Sequence, residues 1–214
     1  MKGYVITMVS LPESVQSAER CIKSAARFNF EVEMTPAVVP QDDPEFWCEK
    51  KGIPISLFRE VYSRFENCLS AFCSHYMLWQ QSYSEDETLL VLEHDAYFVG
   101  EIPSVPFDDI LSYGHPSYGK WVTPNTIGKS KLVSKQYLPG AHAYAVTPSG
   151  AKKLMDKAKE CASPTDLFIS NRNFPNCVEE YYPWPVEARD NFSTIQNTRG
   201  CVAKHNFNET YRIL

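Results

Sequence analysis

Two carboxylates, Glu93 and Asp95, close a run of five apolar or β-prone residues, Thr88 to Leu92. An unbroken apolar run bounded by polar residues predicts a strand buried on both faces. Carboxylates at the C-terminal end of such a strand project into the crevice where open α/β sheets bind ligands. Two positions apart, they share a face if the strand continues, and a local turn would change that. Paired hard oxygens suit Mg²⁺ or Mn²⁺ held together with substrate phosphates. The bland alternative is a strand that ends in a solvated acidic loop.

The elements that must position these groups follow from periodicity. Tyr4 to Leu11 predicts a first strand. Ser14 to Phe28 repeats at helical spacing, with Val15, Ala18, Cys21, Ile22, Ala25 and Ala26 on one side and Ser14 as N-cap. Glu31 to Val39 predicts a second strand, and Asp42 to Lys51 a loop with a helical turn. Ile55 to Phe65 and Leu69 to Ser82 read as helices, the second stacking Phe72, Tyr76 and Trp79. The third strand is Thr88 to Leu92. The stretch from Phe98 to Lys135 is rich in Pro, Gly and Ser, with short strands expected around Gly119 to Val122. Ala143 to Val146 reads as a strand and Ser149 to Lys159 as a helix capped by Ser149, while the C-terminal third reads as irregular. Strand–helix alternation in the first half implies a parallel, Rossmann-like sheet. The looser second half is expected to add antiparallel strands and acceptor-side loops.

At 214 residues the chain fits one domain, 1–214, with a full hydrophobic core. A nucleotide-binding half is expected over 1–100 and an acceptor-side half over 101–214. No run of about 18 apolar residues is present to span a membrane, and the N-terminus reads as a strand rather than a signal peptide. The seven cysteines are scattered with no C-x-x-C pair, which argues against a zinc ribbon and for reduced thiols in a cytosolic protein. The net charge of −5 argues against nucleic-acid binding by bulk electrostatics. Its distribution is less bland. Between Asp109 and Asp156 there is no acidic residue, yet Lys120, Lys129, Lys131, Lys135, Lys152 and Lys153 fall there. That asymmetry points either to a surface that meets an anion or to a solvated lysine-rich loop.

Several segments taken in order resemble glycosyltransferase family 25, the lipooligosaccharide galactosyltransferase type. Asn67 to Trp79 resembles the family's Gly-Cys-x-x-Ser-His-x-x-x-Trp helix, with Asn67 in place of its glycine. Leu90-Val91-Leu92-Glu93-His94-Asp95-Ala96 is similar to its Ile-Leu-Glu-Asp-Asp-Val strand end. Gly140 to Leu154 resembles its Gly-x-x-Ala-Tyr-x-Ile-x-x-x-Gly-Ala-x-x-Leu element, Pro164-Thr165-Asp166 a later Pro-x-Asp, and Ser193-Thr194-Ile195 a Ser-x-Ile. The matches cover roughly residues 66 to 196. The compact length and the run Ala203-Lys204-His205 look most like versions encoded by tailed phages. His94 stands where the family has Asp, and the family's basic C-terminal extension is missing.

The resemblance implies a single-domain GT-A fold: a nucleotide-sugar-binding, mostly parallel sheet with helices on both faces. It implies an inverting, cytoplasmic hexosyltransferase of a bacterial or phage-infected cell. Its donor would be a nucleotide sugar, a UDP-hexose by expectation, and its cofactor Mn²⁺ or Mg²⁺. Asp95 and Glu93 are the expected metal ligands, with Glu93 able to contact the ribose instead and His205 closing the metal site. Lys204 would meet the diphosphate as a point charge. Ser74 and His75 would lie beside the donor. Adjacent helical residues do not face the same way, so they make no hydrolase dyad. Asp166 is the expected base and Asp190 its runner-up. Gly140 and His142 would line the acceptor pocket, with aromatic faces available from Trp121, Tyr144, Tyr181, Tyr182 and Trp184.

Two acceptors stay open at this level. One is a bacterial surface glycan. The other is a 5-hydroxymethylpyrimidine in phage DNA, flipped into the site with phosphates held by Lys129, Lys131 and Lys135. A non-catalytic carbohydrate- or nucleotide-binding protein on the same scaffold, and a metal-dependent phosphatase or nucleotidyltransferase, are the competing classes.

Overall fold

The computed structural model describes residues 1–189, 191–197 and 212–214. The chain opens with strand β1 (Lys2–Thr7), helix α1 (Pro12–Ala26) and strand β2 (Val32–Pro36). Helices α2 (Pro44–Lys51) and α3 (Phe65–Glu85) precede strands β3 (Leu89–Glu93) and β4 (Ala96–Phe98). Strands β5 (Ile110–Ser112), β6 (Gly128–Lys131) and β7 (Ala143–Val146) follow, then helices α4 (Pro148–Cys161) and α5 (Thr165–Phe168). Strands β8 (Val178–Tyr182), β9 (Val186–Ala188), β10 (Phe192–Ser193) and β11 (Arg212–Ile213) complete the described elements.

Seven strands form one sheet in the order β2-β1-β3-β7-β5-β8-β6. β1 pairs in parallel with both β2 and β3, and β5 with β8, whereas β7 and β6 run against their neighbours. Five of the seven strands therefore share one direction, the mostly parallel α/β sheet expected from the sequence. β3 lies beside β7, so the sheet joins the two sequence halves in one body.

Side-chain alternation explains why β3 has no polar face. Val91 packs into the core shared with α3 and α4, while Leu90 and Leu92 pack into the core under α1. β7 divides likewise, with Tyr144 and Val146 on one side and Ala143 and Ala145 on the other. Helices thus cover both faces at the centre of the sheet, where β3 and β7 must be apolar on both sides.

The expected Phe72–Tyr76–Trp79 stack exists on α3, with Phe72 and Trp79 edge-to-face at 5.5 Å. Phe168 of α5 lies over Trp79 at 5.9 Å, tying that short helix to the same core.

Five local expectations are corrected. α1 begins at Pro12, and Ser14 is buried inside its first turn instead of capping it; proline at the first helical position is pre-set for the helix and lacks an N–H that needs a partner. Residues 55–64 form only a 3-10 turn at Ser56–Phe58 and a bridge of Ser63 to Gln196, so long-range pairing overrides the apolar spacing. The edge strand falls at Gly128–Lys131 instead of near Gly119 to Val122. Thr147 caps α4, its Oγ1 accepting from Gly150 N at 3.0 Å, while Ser149 Oγ donates to Asp109 Oδ1 at 2.9 Å. The C-terminal third, expected to be irregular, contributes β8 to the sheet and pairs β9 with β4.

Candidate functional site

The chain leaves β1 towards β2 on one side and reaches β3 on the other. The carboxyl ends of β1 and β3 therefore flank the point where the strand order reverses, where open α/β sheets bind ligands. A cavity of about 580 Å³ opens there. Ile6 and Met8 enter from the end of β1, Ala37 and Val38 from beyond β2, and Glu93, His94 and Asp95 from the end of β3.

α3 forms one wall, and its spacing shows why. Asn67, Ser70, Ala71 and Ser74 recur three and four apart and line the cavity, while Leu69, Phe72, Tyr76 and Trp79 are buried in the core. The far wall is α5 with Tyr118 and Gly140. Gly140 has φ +88°, and a Cβ there would sit 2.2 Å from Ser117 Oγ, so this close approach requires glycine. The mouth is crossed by Phe192 to Gln196. Arg64 N donates to Ile195 O at 2.8 Å and Asn197 N to Tyr62 O at 2.7 Å, fastening that segment to the strip before α3.

The β3 end turns at His94 and Asp95, so Glu93 and Asp95 do not sit on one continuing strand. Both reach the cavity all the same. Arg189 N donates to Asp95 O at 2.8 Å, which fixes the backbone beyond the turn. His94 stacks on Phe192 at 5.3 Å and its Nδ1 is 3.0 Å from Ser14 Oγ, the packing role a residue between two carboxylates most often takes.

His75 is buried, with Nδ1 2.9 Å from Tyr144 Oη and Nε2 3.2 Å from Glu93 Oε1. Burial pushes its pKa down to about 3, so the ring is neutral near pH 7. A neutral imidazole carries one N–H. Glu93 as a carboxylate only accepts, so we assign the proton to Nε2. Nδ1 then accepts from Tyr144 Oη–H, and Tyr144 Oη accepts from Trp79 Nε1–H at 2.8 Å. The resulting chain, Trp79 to Tyr144 to His75 to Glu93, aims one donor at the cavity carboxylate. His75 lines the cavity itself and is bonded there to Glu93.

Ser74 is also committed. Its Oγ donates to Ser70 O at 2.9 Å and accepts from Val38 N at 2.9 Å. It lines the cavity and pins the segment after β2 to α3 at the cavity edge.

Asp166 lines the cavity. It is the second residue of α5, not its cap. Tyr118 Oη–H donates to Oδ2 and Leu167 N to Oδ1. Burial raises its pKa, and the Tyr118 hydrogen bond opposes that rise. Tyr118 is itself pushed up by burial and by the charge of Asp166. Cys68, on the α3 wall, is pushed up to about 12 by burial, then by the charges of Asp166, Glu60 and Glu93. These acidic groups thus gather around one thiol.

The expected acceptor-side residues disperse. Gly140 lines the cavity, but His142 is buried behind it, its ring against Gly114 and its carbonyl accepting from Glu93 N at 3.1 Å. Lys129 pairs with Glu179 at 3.0 Å and Lys131 donates to Asn176 Oδ1 at 3.0 Å, both on β6 at the sheet edge farthest from β2. Neither reaches the cavity wall, because the acid-free stretch in sequence is partnered in space by acids and amides of β8 and its neighbours. Lys153 and Lys152 likewise pair with Asp109 and Asp156, each at 2.5 Å. Lys135 stays near the site. Its Nζ donates to Tyr118 O at 2.8 Å and lies 4.7 Å over the Tyr118 ring. Asp190, Lys204 and His205 lie outside the described residues. Among the described residues, no three His, Cys, Asp or Glu side chains converge in a metal-binding arrangement.

Sequence reasoning missed Tyr118, for which no spacing gives a signal. It also passed over Ser70 and Thr165, although both fall inside segments singled out for their neighbours. No described helix is long and apolar enough to cross a membrane.

No protein-family model matches the chain, and no curated protein matches it in sequence. Among solved structures, CTP:phosphocholine cytidylyltransferase from Streptococcus pneumoniae aligns with a TM-score of 0.39 and 13% identity, covering 86% of this chain and 91% of that one. At that distance the likeness bears on neither substrate nor mechanism.

Proposed function

We propose that the protein is a glycosyltransferase of the family 25 type, moving a hexose from a nucleotide sugar to a hydroxyl of a saccharide acceptor. The observation that carries this reading is the cavity at the β1/β3 switch point, which gathers Glu93 and Asp95 on one side and Asp166 on another.

Asp166 is the base. The acceptor hydroxyl gives its proton to an Asp166 oxygen as the acceptor oxygen bonds the anomeric carbon. The bond from that carbon to the phosphate oxygen breaks, and its electron pair leaves with the nucleoside diphosphate. A carboxylate held above its ordinary pKa by burial takes that proton more readily at neutral pH. Tyr118 and Leu167 N each hold one oxygen, so the carboxylate is oriented before substrate arrives.

Glu93 and Asp95 would hold a divalent cation. The described lining includes four carboxylates, Glu60, Glu93, Asp95 and Asp166, and no lysine or arginine. A diphosphate against such a wall needs a positive partner, and hard oxygens fit Mg²⁺ or Mn²⁺. When bound, the cation supplies charge neutralisation at the leaving diphosphate. Lys204 and His205 are the further candidates for that partner.

A saccharide fits better than DNA as acceptor, because Lys129 and Lys131 are engaged away from the cavity. The test is incubation with a panel of nucleotide sugars and Mn²⁺ or Mg²⁺, with products read by mass spectrometry. Transfer to saccharide, or free hexose plus nucleoside diphosphate, is the expected result. Nucleoside monophosphate would mean phosphoanhydride cleavage and overturn the reading.

A further inference from the structure

Two buried hydroxyls on the cavity wall have no hydrogen-bond partner. Ser70 of α3 is 3% exposed and Thr165 of α5 is 8% exposed, and both line the cavity. Neither Ser70 Oγ nor Thr165 Oγ1 contacts a donor or acceptor in the protein. Leaving a buried hydroxyl unpaired costs free energy, and native proteins rarely leave one so without a reason. A reason is at hand here. The two stand on the facing helices that frame the cavity, and Thr165 is next to Asp166, whose carboxylate is held from the side by Tyr118. Asn67 adds an amide one helical turn before Ser70.

The contrast with Ser74 sharpens the point. Ser74 sits one turn further along the same helix face and has both its donor and its acceptor capacity used by the protein. Ser70 has neither used. A group with one hydroxyl donor and free lone pairs at each side, beside an acceptor-only carboxylate, matches a ligand that presents several adjacent hydroxyls. It does not match a phosphate, which Asp166 would repel, nor an apolar chain, which would leave both hydroxyls unpaired.

We propose that Ser70, Thr165 and Asn67 form a subsite that binds a hexose ring through its hydroxyls, next to Asp166. This deepens the transferase reading and rests on it for the ring's origin. The ring belongs either to the donor or to the acceptor, and the experiment separates the two.

Ser70→Ala and Thr165→Val are made singly and together. Calorimetric titration uses nucleoside diphosphate hexoses and the matching free nucleoside diphosphates as probes, and steady-state assays vary a saccharide acceptor. If the subsite holds the donor's ring, each change weakens nucleotide-sugar binding roughly 2- to 10-fold and leaves the nucleoside diphosphate unaffected. If it holds the acceptor's ring, donor binding is unchanged and the acceptor KM rises by a similar factor. Wild-type values for both ligands in the double variant would overturn the proposal. That failure leaves the transferase reading standing if sugar is still transferred. Conversely, hexose-dependent binding lost in the variants of a protein that transfers nothing would keep the subsite and sink the transferase.

A second readout needs no ligand. Removing an unpaired buried hydroxyl should leave the melting temperature unchanged or higher, so Ser70→Ala should be at least as stable as wild type. Ser74→Ala makes the same change on the same helix face but deletes two hydrogen bonds, and should melt lower. Equal losses in the two variants would mean that Ser70 is paired within the protein, and the subsite would fall.

Discussion

His75 Nε2 lies 3.2 Å from Glu93 Oε1, and that pairing decides which nitrogen of the buried ring carries the proton. Trp79 and Tyr144 stand behind it in a line of donors, and Tyr144, its lone pair occupied by Trp79 Nε1–H, donates to His75 Nδ1. The expected spectroscopic outcome is a neutral His75 protonated at Nε2, read from its ¹⁵N shifts near pH 7. In Tyr144→Phe the line is cut, leaving Trp79 Nε1 and His75 Nδ1 unpaired. We expect a mixed tautomer and a loss of about 1–3 kcal/mol in denaturant unfolding for each group left unpaired. A wild-type ring protonated at Nδ1 would refute the assignment.

The same ring makes the fold acid-sensitive. Burial holds its folded pKa near 3, against an ordinary value of 6.5. Between those values the unfolded chain binds a proton on His75 and the folded chain does not. The stability contribution is therefore complete above about pH 6.5 and is lost as pH falls towards 3. The slope from this residue is at most about 1.4 kcal/mol per pH unit. Unfolding free energies of wild type and His75→Gln over that range check this, and equal slopes would mean His75 is already charged in the fold.

Asp166 should set the acidic limb of the rate. Its pKa is raised above the ordinary 3.8, so activity climbs with pH as the carboxyl ionises, with a midpoint above that value. Tyr118 holds the pKa down by donating to Oδ2, so Tyr118→Phe should move the limb to higher pH. A residue that merely packs would not shift it. Asp166→Asn should keep donor affinity and lose about 10²- to 10⁴-fold in kcat. Normal turnover in that variant would leave Asp190 as the base.

Lys129 and Lys131 provide the test of the acceptor. With both engaged on β6, their change to Ala should leave transfer and its salt dependence as in wild type. Were duplex DNA the acceptor through these two residues, the log–log salt slope of binding would flatten by roughly 2 units. That flattening would reinstate the nucleic-acid reading.

Much of this was legible in the chain. β3 announced itself because a strand buried on both faces must be apolar throughout, and the carboxylates after Leu92 marked the end that opens on the cavity. The stripe on α3 was visible as a period of three and four. What was not legible lies at long range. His75 is bonded to residues 69 and 18 positions away, and no spacing encodes such a meeting. Tyr118 meets Asp166 across 48 positions. The lysine-rich stretch stayed ambiguous because charge was summed along the sequence, whereas the fold brings Glu179, Asn176, Asp109 and Asp156 to four of its lysines. Residues 55–64 misled because their apolar positions, Leu57, Val61 and Tyr62, are exposed on a strip held by backbone bonds to Ile195, Gln196 and Asn197.

Those backbone bonds bear on how the protein can change. The mouth of the cavity is fastened through main-chain groups: Arg64 N to Ile195 O, Asn197 N to Tyr62 O, and the Ser63–Gln196 bridge. Even the Arg64 guanidinium grips a carbonyl, that of Thr194. The side chains of Thr194 and Gln196 carry none of that attachment, yet they face the ligand space. Substitution at these two positions would therefore change the cavity lining while leaving the main-chain fastening in place.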